Sequence, residues 1–296
     1  MTEPKNFYIF GSGISFSISP TIHNTGFTHH ALPYTYTIRE SASIDEVASL
    51  IHEPSFGGAS VTMPHKLQVH KFCTEVSETA RAIGAINTLI PTHNDSGKRG
   101  IIGDNTDWSG LYAIIMKYTT STNGQGQGKS LNAGLVIGAG GASRAALYAM
   151  YKAGVNHVCL VNRTQSVAEK VRDDFKDLFD ITVIPDLSES SPLESPDVII
   201  GTVPAETTSE EQFGTLFKAR SRGLCIDMSY KPRQTPLLTV AQRHEGWAAV
   251  TGVEVLLAQA FDQFELWTGL EPPREAMIEA VLAREGGVGR GSLSML

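Results

Sequence analysis

The stretch VIGAGGASR, residues 136–144, joins the end of a short apolar run to the start of a segment with helical periodicity. Gly138 and Gly140 at such a strand-to-helix turn let the backbone come close to a pyrophosphate, and the helix start offers oriented N–H groups and a favourable dipole. Ser143 occupies the sixth position of the Gly-x-Gly-x-x-Gly pattern and is small enough for close packing. A glycine turn alone is weak, but its place between strand and helix gives it weight, so the surrounding segment is read as a dinucleotide-binding Rossmann unit.

Working outward from that turn, the runs GLVIG, HVCLV, ITVIP, DVIIG, GLCID and AAVTG are short and nearly all apolar, with helices expected near 142–153 and 166–179. Strands of this kind belong to a parallel sheet covered on both faces. The strand after the glycine turn ends in CLVNRTQS, where NAD binders usually carry an acid for the ribose 2′-hydroxyl. Here the residue is Asn162, followed by Arg163, which can pair with a 2′-phosphate. NADP is therefore the expected cofactor, with NAD left open. The segment YAMYK, 148–152, imitates a Tyr-x-x-x-Lys catalytic pair, yet it lies on the helix directly after the glycine turn, so Tyr148 and Lys152 are read as packing or surface residues.

The preceding half is also α/β. FYIFG, YTYTI and GASVT read as strands, with helices expected at 19–31, near 44–51 and near 75–83. NTLIP and RGIIGDN flank a hairpin turn in THNDSGK, and a helix starts at Asp107. The polar, Gly-rich TTSTNGQGQGKS, 119–130, is expected to be a linker. Leu257, Phe261, Phe264 and Trp267 form a helical core stripe. Domains are expected at 1–118 with 252–296 for substrate and at 119–251 for the dinucleotide, with hinges near 119–130 and 250–253.

Composition excludes several classes of partner. The 296 residues carry a net charge of -7, which disfavours nucleic acid and anionic membranes. No stretch approaches the roughly 18 apolar residues of a membrane span. The three cysteines, Cys73, Cys159 and Cys225, are widely spaced and match no disulfide or metal pattern, so no metal is expected and a reducing cytoplasmic location fits. The Gly/Ser-rich ending reads as a loose tail whose Ser-Met-Leu is a poor relative of a peroxisomal signal. A small molecule is the expected partner, and oligomeric state is not legible.

Polar clusters in the first half end its strands and loops: SISP, SVTMPHK, GAINT and GDNTDW. Ser19 and Pro20 read as N-cap and first residue of a helix, which would set Ser17 and Ser19 beside its N-terminus. Together with GAGGASR, NRT, DMSYKPRQTPLL and AQAFDQFELWTG, these motifs occur in an order that resembles the shikimate/quinate dehydrogenase family.

The resemblance implies an NADP-linked oxidoreductase converting 3-dehydroshikimate to shikimate, or acting on quinate. A non-enzymatic sensor of the same fold is a further possibility. It implies that Lys66 and Asp107 are the catalytic acid–base pair and that Ser17 and Ser19 take the substrate carboxylate. Thr62, Asn87 and Gln259 would bind its hydroxyls, and Tyr230 would be the active-site tyrosine. Gly138, Ala139, Gly140, Gly141 and Ala142, with Asn162, Arg163 and Thr164, would hold the cofactor. The chain departs from the family's usual pattern at Gly13, Phe16, Ser60 and Val167, where proline, histidine, asparagine and a second basic residue are common.

Overall fold

A computed structural model describes residues 2–93, 96–121, 131–187, 196–217 and 222–284. It divides by internal contacts into two α/β units, the first ending at Thr106 and resuming at Gln259, the second running from Asp107 to Ala258.

The first unit contains β1 (Lys5–Gly11), α1 (Ser19–His29), β2 (Tyr34–Glu40), α2 (Ala48–His52), β3 (Phe56–Val61), β4 (Glu75–Val76), α3 (Glu78–Ile83), β5 (Thr88–His93) and β6 (Arg99–Asp104). Its sheet runs β2-β1-β3-β5-β6-β4 and is mixed. β1 pairs in parallel with both β2 and β3, whereas β5 is antiparallel to β3 and to β6. One side buries Tyr8, Phe10, Phe56, Val61 and Leu89.

The second unit contains α4 (Asp107–Ser121), β7 (Ala133–Ile137), α5 (Gly141–Lys152), β8 (His157–Val161), α6 (Gln165–Phe175), β9 (Ile181–Ile184), β10 (Val198–Gly201), β11 (Gly223–Asp227), α7 (Pro236–Gln242) and β12 (Trp247–Val250). All pairings in its sheet, β12-β11-β10-β7-β8-β9, are parallel. This is the doubly wound order expected from the apolar runs, with the order reversing at β7, beside the glycine turn. α8 (Gly252–Thr268) begins in the second unit and ends in the first, and α9 (Arg274–Arg284) follows in the first. Among the described residues no helix is long and apolar enough to cross a membrane.

Several local expectations are corrected. The helix expected near 44–51 is a 3-10 turn, Ile44–Val47, followed by the short α2. The helix expected from 75 starts at Glu78, because Glu75 and Val76 instead pair in parallel with β6. Residues 119–121 complete α4, so pattern-free polarity at a helix end was mistaken for linker; 122–130 lie outside the described residues, as do hairpin residues 94–95 and the tail from 285. α6 stops at Phe175. Leu257, Phe261 and Phe264 are buried, as the core stripe requires. Tyr148 is a packing residue, its ring edge-on to Trp108 at 5.2 Å within the second unit.

Candidate active site

In the first unit, β5 starts immediately after Asn87, and that position draws the side chain into a dense polar cluster. Asn87 Oδ1 accepts from the Thr106 backbone N–H at 2.7 Å and from the Thr88 hydroxyl at 2.6 Å. Its Nδ2 donates to Thr106 Oγ1 at 3.0 Å and to Gln259 Oε1 at 3.2 Å. Because a backbone N–H can only donate, the amide is held with its oxygen towards Thr106 N and its nitrogen towards Gln259. Thr106 Oγ1 donates to Gln259 at 3.0 Å. Two residues that the sequence put forward as hydroxyl-binding groups thus meet, although 172 positions apart.

Behind them lies a second tier that sequence reading missed. Gln263 donates to Thr88 Oγ1 at 2.8 Å and accepts from Ser60 Oγ at 2.8 Å, and Tyr36 donates to Ser60 at 2.6 Å. All four residues are buried. The available signal was spacing: Gln263 lies one helical turn after Gln259, and Thr88 and Thr106 stand inside motifs already singled out. His23, also fully buried, stacks on Tyr36 with ring centroids 4.6 Å apart. Burial, only partly offset by Gln263, holds its imidazole down at about 3.

Ser17 and Ser19 end the loop between β1 and α1, and both are buried. Their hydroxyls lie 3.2 Å apart, and Ser17 Oγ accepts from the Ser19 backbone N–H at 3.3 Å. Ser19 is not the cap expected from sequence: it is the first helical residue, and Ile18, in the cap position, offers no side-chain cap. The helix start therefore has no capping side chain of its own, and Ser17 has taken over one of its donors.

Thr62 and Lys66 flank the Met63–Pro64 peptide, which is cis. Thr62 N–H donates to Phe10 O at 2.9 Å, and His65, Lys66 and Leu67 form one 3-10 turn. Lys66 is half-buried, and its carbonyl accepts from Ile86 N–H at 2.9 Å, which ties the turn to the residue before Asn87. Thr62, Lys66, Asn87, Gln259 and the two serines all belong to the first unit.

Asp107 and Tyr230 belong to the second unit. Asp107 is buried at the first residue of α4, where the helix dipole favours a carboxylate. Tyr230 is half-buried three residues past Asp227. Asp227 accepts from Ser229 N–H at 3.0 Å and from Thr235, yet burial dominates and pushes its carboxyl up to about 6.

The glycine turn has the form its sequence implies. Gly138 has φ +111°, and a Cβ there would lie 2.4 Å from Thr202 Oγ1, so no other residue fits. A Cβ at Gly140 would meet nothing within 4 Å, which leaves its backbone open to approach. Ser143 accepts from Gly140 N–H at 3.0 Å and shares a 2.6 Å hydrogen bond with Thr202, pinning the turn across to the segment after β10. Ala139 is buried, and Gly141 and Ala142 open α5. Asn162 donates to Thr164 O at 2.9 Å, and Arg163 is exposed beside them. Arg144, at the end of the motif, is buried against Asp174 instead of facing outward. The residues present suit a pyrophosphate at the turn and one added phosphate at Arg163. Among the described residues no group of three or more His, Cys, Asp or Glu is placed to hold a metal ion.

Three family descriptions match the chain in order. Residues 9–89 match the shikimate dehydrogenase substrate binding domain, 125–236 match shikimate / quinate 5-dehydrogenase, and 252–282 match the shikimate 5′-dehydrogenase C-terminal domain. A pentafunctional AROM polypeptide of Malassezia globosa is 41% identical over 277 residues, covering 91% of this chain and 17% of the relative. A quinate repressor protein of Emericella nidulans is 33% identical over 317 residues, covering 95% of this chain and 35% of the relative. The chain thus spans between about a sixth and a third of the length of these curated relatives. A solved shikimate 5-dehydrogenase from Thermus thermophilus, in complex with NADP(H) and shikimate, is 26% identical with a TM-score of 0.72, covering 95% of this chain and 99% of that one.

Proposed function

The chain belongs to the shikimate dehydrogenase family, and from that premise we propose that it is an oxidoreductase interconverting 3-dehydroshikimate and shikimate with NADP(H). The observation that carries this reading is the Asn87–Thr106–Gln259 cluster, in which amides and a hydroxyl from distant parts of the sequence converge in the unit that also holds Lys66, Ser17 and Ser19. Such a set suits a small polyhydroxylated anion, and it rejects analogues that leave one of its groups unpaired.

In this reading NADPH, when bound, supplies the hydride. Hydride arrival at a carbonyl carbon leaves negative charge on oxygen, which the Lys66 ammonium stabilises and protonates. Asp107 would be the partner of that lysine in the acid–base step. Ser17 and Ser19 donate to the substrate carboxylate; Thr62, Asn87 and Gln259 hold its hydroxyls, and Tyr230 is the active-site tyrosine. The glycine turn with Asn162, Arg163 and Thr164 holds the cofactor, Arg163 pairing with the 2′-phosphate.

A second reading is quinate oxidation with NAD, favoured by the single exposed cation at Arg163 and by Val167 where another would strengthen phosphate binding. The relationship to a repressor protein adds a third, ligand binding without turnover. Initial rates with shikimate and quinate, each offered with NADP and with NAD, separate the three. Fast turnover of shikimate with NADP is the expected outcome. Preference for quinate with NAD would replace the proposal with the second reading, and binding without turnover would replace it with the third.

A further inference from the structure

We propose that the Glu40–Ser41 step, where β2 leaves the sheet, is a positioning element: Glu40 sets the loop carrying Ser17 and Ser19, and Ser41, through His65, sets the turn carrying Lys66. The inference rests on the dehydrogenase reading above and deepens it.

The loop between β1 and α1 has no regular structure to fix it, and Gly13 within it takes a positive φ of 65° with open space around it. Its shape comes from outside contacts. Glu40 Oε1 accepts both the Ile14 N–H at 2.5 Å and the Ser15 N–H at 3.1 Å, while Ser12 N–H donates to Met63 O at 3.0 Å. A carboxylate that takes two successive backbone donors makes charge-assisted bonds, stronger than neutral ones. It also uses up donors in the loop, so that hydroxyls, and not those amides, are left to face an anion.

Ser41 continues the contact on the other side. Its N–H donates to Gly11 O at 2.9 Å, closing the end of β1 against the end of β2. Its hydroxyl and carbonyl oxygens lie 3.0 and 3.1 Å from His65 Nε2. A ring nitrogen facing a carbonyl must donate, so Nε2 carries hydrogen and His65 is locked towards Ser41. His65 is almost wholly buried, and among the described residues its Nδ1 has no partner, so Ser41 supplies its side-chain hydrogen bonds. Lys66 is the next residue in the same 3-10 turn. One dipeptide therefore reaches both the anion-binding hydroxyls and the proton donor, although it touches neither substrate nor cofactor in the reading above.

An exposed side chain contributes little to folding, so Glu40 can be removed without unfolding the unit. Glu40→Ala is expected to raise the shikimate KM about tenfold with kcat and the NADP KM within about twofold, while Glu40→Gln, which keeps an acceptor, recovers most of the loss. His65→Phe keeps the ring's shape but lacks the donor; it is expected to lower kcat about tenfold at unchanged KM, and His65→Gln, whose amide N–H reaches the same carbonyl, restores most of it. Wild-type constants in both Glu40→Ala and His65→Phe would overturn the inference, as would losses that follow Tm and that glutamine does not rescue. If His65→Phe fails to fold, the Glu40 pair decides alone. A wild type without turnover overturns the dehydrogenase reading and this inference with it, whereas turnover with unaltered variants overturns the inference only.

Discussion

Arg163 is the one cation in the chain's NRT motif, and it stands exposed beside Asn162 at the end of β8. If it pairs with the 2′-phosphate, Arg163→Ala should raise the NADP KM about ten- to a hundredfold, since a lost charged contact costs on the order of 1.5–3 kcal/mol, and should leave the NAD KM unchanged. Steady-state kinetics with both cofactors measure this, and an unchanged NADP KM would show that Arg163 does not meet the 2′-phosphate. At this scale the sequence was legible where its polar motifs name residues that the fold brings together, as with Asn87 and Gln259. It was silent where the role comes from three-dimensional neighbours. Gln263, Thr88, Tyr36 and Ser60 are ordinary polar residues until the fold buries them together. His65 draws no role from its sequence pattern, yet the fold buries it against Ser41.

Among the elements, the glycine turn and the strands around it were readable because they combine several signals: an apolar run, a glycine at positive φ, and the helix that follows. Gly138→Ala tests how strictly that turn is specified. The added methyl would lie 2.4 Å from Thr202 Oγ1 on a backbone that L-residues avoid, so the turn must move. The expected result is a loss of about 2–4 kcal/mol in unfolding free energy and a weakened affinity for nucleotide, measured by urea titration and by NADP binding. Stability and affinity within error of wild type would show that the turn tolerates a side chain. Element ends were less legible. Ser19 has the composition of a cap but sits inside the helix, and Glu75–Val76 reads as helix until parallel pairing with β6 claims it. For Glu75–Val76 a tertiary partner outweighed local preference.

Across the whole molecule, two buried groups make stability depend on pH in opposite directions. His23 has a folded value of about 3 against 6.5 in the unfolded chain, so the unfolded state binds more protons between them and stability falls as pH drops through that window. Asp227 has a folded value of about 6 against 3.8, so the folded state holds the extra proton and stability is lost as pH rises from 3.8 through about 6. Each contributes a slope of roughly 1.4 kcal/mol per pH unit at most, and the two oppose each other in the overlap. Urea unfolding should therefore show Asp227→Asn gaining more relative to wild type at about pH 8 than at about pH 4.5, by up to about 2 kcal/mol. His23→Phe should do the reverse, faring better relative to wild type at the lower pH. Parallel pH curves for wild type and both variants would show that neither group titrates as its burial implies.

In the dehydrogenase reading, Lys66 protonates the reacting oxygen of a bound polyhydroxylated acid. The most direct test is to compare Lys66→Ala with wild type in two measurements on the same preparations: shikimate affinity by calorimetry, and NADP reduction followed at the reduced-nicotinamide absorbance band. Removing a general acid costs about 10²–10⁴ in rate. The account predicts that loss in kcat, with shikimate affinity changed by no more than about tenfold. Turnover surviving in Lys66→Ala at near the wild-type rate would contradict it.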